Sequence, residues 1–93
     1  MREKTLECKL AQMVKAMGGI APKFTSPGFA GIPDRLILIP GGCLAFVELK
    51  APGKPLRPLQ VKQKRQLESL GFRVYCIDHP DQIGGVLDEI QSP

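Results

Sequence analysis

Between residues 3 and 17 the apolar side chains Leu6, Leu10, Met13, Val14 and Met17 recur at intervals of three and four, which predicts an amphipathic helix. Gly18-Gly19 supplies its stop. A short candidate strand over residues 20–25 follows. It leads into Ser26-Pro27-Gly28-Phe29-Ala30-Gly31-Ile32-Pro33, whose glycines and prolines suit a shaped loop. Leu36-Ile37-Leu38-Ile39 and Cys43-Leu44-Ala45-Phe46-Val47 are continuous apolar runs around Pro40-Gly41-Gly42, the pattern of a hairpin buried on both faces at the sheet centre. Residues 51–58 combine three prolines with Lys54 and Arg57 and can be neither helix nor inner strand, so they form an exposed basic loop. Residues 59–70 predict a second helix with Leu59, Gln63, Leu67 and Leu70 on its packed side and Gly71 as its cap. Residues 72–77 predict a further core strand. Asp78-His79-Pro80 is a turn that opens a last helix striped by Ile83, Val86, Leu87 and Ile90.

The predicted order is helix, strand, strand, strand, helix, strand, helix, an α/β fold with helices flanking a mixed central sheet. Ninety-three residues bury one core, so a single domain over 1–93 is expected. With 43% hydrophobic and 24% charged residues the composition is that of a folded protein and excludes a disordered chain. No apolar run is long enough to cross a bilayer and no secretory leader is visible, which points to the cytoplasm and away from a membrane partner. Cys8, Cys43 and Cys76 are odd in number and lack CxxC spacing, so they are read as reduced core thiols. A net charge of +4 favours a polyanionic partner and decides little alone.

The chemistry concentrates between Gly31 and Lys50. Along a strand, residues two apart share a face, so Glu48 and Lys50 project together while Leu49 points the other way. A three-residue loop centred on Gly41 places Asp34 directly across from Glu48, with Cβ atoms about 4.5–5.5 Å apart. A two-residue loop sets Asp34 against Leu49 instead. Opposed carboxylates at the end of an apolar hairpin repel each other and lose hydration, a cost that a hard cation such as Mg²⁺ or Mn²⁺ relieves. A lysine on the same face then stands beside any phosphate the ion draws in. An Asp…ExK triplet alone is short, and a solvated charge cluster on an edge strand accounts for it equally well. Two further residues extend it. Glu7 borders the first helix's apolar stripe, and Gln60 sits at the second helix's N-terminal end, where anions are favoured. His79, the only histidine, is a turn residue rather than a ligand. Lys54, Arg57, Lys62, Lys64 and Arg65 bracket the basic loop as a candidate phosphate track, and Lys23, Phe24 and Phe29 flank the loop that enters Asp34.

At this point the chain resembles the virus-type replication-repair nuclease (VRR-NUC) domain of the PD-(D/E)xK superfamily. The likeness runs from the Glu7 helix and Gly18-Gly19 through Lys23-Phe24, Ser26-Pro27-Gly28 and Gly31-Ile32-Pro33-Asp34-Arg35-Leu36. It continues over Phe46-Val47-Glu48-Leu49-Lys50-Ala51-Pro52-Gly53 and Leu59-Gln60 to Leu70-Gly71-Phe72. It implies a restriction-endonuclease-like core with element order αβββαβα. It also implies Mg²⁺ or Mn²⁺ held by Asp34, Glu48, the Leu49 carbonyl and Glu7, catalysis by Lys50, and help from Gln60. Lys23, Arg35, Lys54, Arg57 and Lys62 are then the expected contacts to nucleic acid. Stand-alone members are small dimeric phage and bacterial enzymes, which implies a homodimeric endonuclease on branched DNA such as Holliday junctions, with no small-molecule cofactor. The rival readings are a binding module that keeps the fold without catalysis, and a scaffold with no nucleic-acid role.

Overall fold

The computed structural model describes residues 2–92. Helix α1 (Glu3–Ala16) leads through an extended segment and a loop to a hairpin of β1 (Arg35–Ile39) and β2 (Cys43–Leu49); α2 (Pro58–Ser69), β3 (Val74–Ile77) and α3 (Ile83–Gln91) follow. A single 3₁₀ turn, Pro80–Gln82, precedes α3. Its entry is tied by the Gln82 side-chain oxygen, which accepts from the Asp78 and His79 amides, and His79 Nδ1 accepts from the Asp81 amide, so the histidine serves the turn. β1 and β2 pair antiparallel, β2 and β3 parallel, giving a mixed sheet in the order β1-β2-β3. The turn at residues 40–42 has Gly41 and Gly42 at positive φ (94° and 77°), a conformation that glycine adopts without strain. It fixes the register as Arg35 opposite Val47 and Ile39 opposite Cys43, which extends to Asp34 opposite Glu48.

The extended segment expected as the first strand lies along the free edge of β1. It pairs only at Ile20 with Leu38 and at Lys23 with Arg35. Between those bridges Pro22 gives its carbonyl to the Leu36 amide and has no N–H to return, which interrupts the ladder. Among the described residues no helix is long and apolar enough to cross a membrane.

The two faces of the sheet differ. Ile37 and Ile39 of β1, Ala45, Val47 and Leu49 of β2, and Ile77 of β3 form one core with Leu6, Leu10 and Val14 of α1 and Ile83, Leu87 and Ile90 of α3. On the opposite face α2 packs against β3 and the loop before Asp34. There Leu36, Leu38 and Phe46 are only partly buried, while Ile20, Leu44 and Phe72 are 61%, 38% and 46% exposed. The expectation of a hairpin buried on both faces is therefore corrected: α2 is too short and too far to one side to cover it. Gln63 and Leu67 of the expected α2 stripe are buried, but Gln60 completes it; Leu70 is exposed, and Leu59 is 44% exposed at the cleft rather than packed in the core. All three thiols are free; Cys43 is half-buried against the core, whereas Cys8 and Cys76 are exposed and are not core residues.

Candidate active site

The hairpin register brings the ends of β1 and β2 together, and Asp34 Oδ1 accepts a hydrogen bond from the Leu49 amide at 3.3 Å. Asp34, Glu48 and Lys50 line one open cleft of about 740 Å³, together with Gln60 and Arg57. Glu48 is 8% exposed and also borders a second, small pocket with Gln60, Leu56 and Lys64. Burial, and then the Asp34 carboxylate, push the Glu48 carboxyl up to about 7, with Lys50 pulling against them. Asp34 is also raised, first by burial and then by Glu3, against the Leu49 amide that lowers it. Two carboxylates that resist ionising beside one another mark a position short of positive charge.

That shortage tests the fit of a cation. Among the described residues no three His, Cys, Asp or Glu side chains stand close enough to hold an ion by themselves. An ion at this position would have the Asp34 and Glu48 carboxylates to bind, with the remaining positions left to backbone oxygen, water and substrate. Such an incomplete oxygen set suits Mg²⁺ or Mn²⁺, which keep several waters, better than it suits a cation that needs a full protein cage.

Glu7 is placed differently from the expectation. Its carboxylate is paired with the Arg35 guanidinium and lies 3.6 Å from Lys23 Nζ, and it lines a side recess with Asp34 rather than the main cleft. The acid of α1 that lines the main cleft is Glu3, one helical turn earlier. Periodicity carried a faint signal for it, since residues 3 and 7 lie on one side of a helix. Arg35, expected to touch nucleic acid, is 8% exposed and donates to the Ala21 carbonyl at 2.8 Å as well as to Glu7. It is an internal tie between α1, the edge segment and β1, not a surface cation.

Gln60 is buried, and its side-chain oxygen accepts from the Arg57 amide at 2.9 Å at the start of α2. Its NH₂ is thus the free end in the cleft wall. The loop forming the opposite wall is pinned at two points. Gln63 Nε2 donates to the Ala30 carbonyl at 3.0 Å. Gly31, at φ +83°, lies so near α2 that a Cβ would come within 2.8 Å of Leu59. Lys54, Arg57 and Lys62 are exposed along the basic loop and α2, and Lys23 is 72% exposed on its side chain.

No family model matches the chain. Over 81 residues it is 44% identical to the protein named "Putative nuclease p44" of Acyrthosiphon pisum secondary endosymbiont phage 1, a match that spans 87% of each chain. A solved structure described as a VRR_NUC domain superposes with a TM-score of 0.86 over 92% of this chain and 94% of that one, at 24% identity. The second likeness is one of fold.

Proposed function

This chain belongs to the VRR-NUC family of nucleases, and from that premise we propose that it is a Mg²⁺- or Mn²⁺-dependent, structure-selective DNA endonuclease that works as a homodimer on branched DNA such as Holliday junctions. The observation that carries the proposal is the pair Asp34 and Glu48, held opposite each other by the hairpin, short of positive charge, with Lys50 in the same cleft.

Asp34, Glu48 and the Leu49 carbonyl would hold the ion, and Glu3 adds negative charge to the cleft. When bound, the ion supplies an activated water and offsets charge at the scissile phosphate. Lys50 faces the same phosphate and stabilises the charge that develops on its oxygens. Gln60 donates its free NH₂ to hold the attacking water or a phosphate oxygen in line. Glu7 supports the site from behind by fixing Arg35, the residue after Asp34. Exposed Lys54, Arg57 and Lys62, with Lys23 at the side recess beside Glu7, bind flanking phosphates without reading sequence. The half-open apolar face around Ile20, Leu38, Leu44 and Phe46 is the surface on which a second copy packs. A two-fold dimer sets two such clefts in the symmetry of a four-way junction.

The test is cleavage of labelled four-way junction and linear duplex with Mg²⁺, Mn²⁺ or EDTA, alongside Asp34→Ala. Metal-dependent cutting that favours the junction and vanishes in Asp34→Ala is the expected result. Cutting that persists in EDTA or in Asp34→Ala overturns the assigned site, and binding without cutting under every metal condition favours the non-catalytic module. Sedimentation of the wild type as a dimer and of Leu44→Lys as a monomer supports the apolar face; a wild-type monomer at working concentration overturns the dimer.

A further inference from the structure

The cleft of about 740 Å³ is lined by apolar as well as charged residues, so it offers contacts beyond those to a phosphate. Phe24, Phe29, Ile32 and Leu59 line the same cleft as the charged residues. Phe24 is occupied, because its ring packs edge-on against Phe46 at 5.9 Å between centroids. Phe29 is half-buried, and among the described residues its ring has no aromatic neighbour.

Its position is fixed rather than loose. The Phe29 amide closes a tight turn onto the Ser26 carbonyl at 3.0 Å. The next two residues are the ones pinned to α2, at Ala30 by Gln63 and at Gly31 by Leu59. A flat apolar side chain thus shares the cleft with carboxylates and a lysine. A ligand that uses both kinds of lining carries an anionic group and a flat apolar face, as a nucleotide does.

We propose that Phe29 is a specificity-determining residue on which a nucleobase flanking the scissile phosphate stacks after leaving its helix. The inference rests on the nuclease reading above and adds to it a cause for structure selectivity. A base inside an intact duplex cannot reach a ring in the cleft wall, whereas a base at a branch point leaves the stack cheaply. Base-on-aromatic stacking is worth about 1–3 kcal/mol per base, or roughly five- to 150-fold in affinity.

Once the cut position on a junction is mapped, each nucleotide beside it is replaced in turn by an abasic residue, and single-turnover cleavage and binding in Ca²⁺ are measured for wild type, Phe29→Leu and Phe29→Trp. One abasic position should slow the wild type about tenfold. Phe29→Leu should slow cutting of the intact junction by a similar factor and be indifferent to the abasic change, while Phe29→Trp retains activity. A 2-aminopurine at that position should change fluorescence on binding to wild type and not to Phe29→Leu. An active enzyme that ignores both the leucine and the abasic substitutions overturns the stacking role and leaves the nuclease reading intact. A folded protein inert on every DNA with Mg²⁺ or Mn²⁺ overturns the nuclease reading, and the stacking role with it.

Discussion

One face of the central sheet is closed and apolar, and the other is open, aromatic and charged. Under α1 and α3 the side chains of Leu6, Leu10, Ile37, Val47 and Ile83 are fully buried. Across the sheet, two carboxylates sit in a cleft and a row of partly exposed apolar residues runs beside it. The division follows strand parity: odd-numbered residues of β1 and β2 build the core, and even-numbered ones supply Glu48 and the open apolar surface. Stability and chemistry are thereby assigned to separate sides of two strands, and substitutions on each side should be nearly independent.

Breaking the closed face should have the largest effect. Leu10→Ala should cost about 2–5 kcal/mol in denaturant unfolding, since a fully buried leucine leaves a cavity. Lys50→Ala should instead leave the unfolding midpoint within error and reduce single-turnover cleavage about 10²- to 10³-fold. If Lys50→Ala unfolds the protein, the two sides are not separable. The pH dependence sharpens the contrast. Glu48 is raised from 4.5 to about 7 in the folded state, so the fold holds a proton that the unfolded chain releases. Metal-free stability should be fully present below about pH 4.5 and fall by about 2 kcal/mol as pH rises through 7, with Asp34 acting in the same direction. Thermal melts of wild type should show that slope, Glu48→Gln should flatten it, and Mg²⁺ should offset the loss at neutral pH. The smallest effect is expected at Lys62→Ala, which should weaken DNA binding slightly and lower its salt slope by about one without changing stability.

Much of this arrangement was legible in the sequence. The turn Pro40-Gly41-Gly42 narrowed the hairpin to two registers, of which the structure takes the one that pairs Arg35 with Val47, and the stripes of α1 and α3 named their buried faces. What the sequence did not resolve has specific physical reasons. Glu3 and Glu7 share a helix side, and which of them meets the cleft depends on how α1 crosses the sheet, a tertiary property. Arg35 was read as a surface cation because of its charge, although its parity with Ile37 and Ile39 already placed it on the buried side. On α2 the stripe rightly included Gln63, which holds the Ala30 carbonyl, but Gln60 is buried in place of Leu59 and Leu70 because its side chain is tied back to the Arg57 amide, and hydropathy cannot foresee a hydrogen bond of that kind. Coverage of the sheet's second face depends on where a short helix ends up, which no pattern within the strands encodes.

The turn at residues 40–42 is exposed and distant from the cleft, the kind of surface loop where inserted or deleted residues are ordinarily harmless. Here its length counts the two strands into step. Losing one residue would set Asp34 against Leu49 and separate the carboxylates without touching either of them. The same slip would turn one strand's core side chains to the opposite face, so length variation at this turn is constrained both by the core and by the chemistry at the other end of the hairpin, and a change there would register as a loss of stability and of catalysis together.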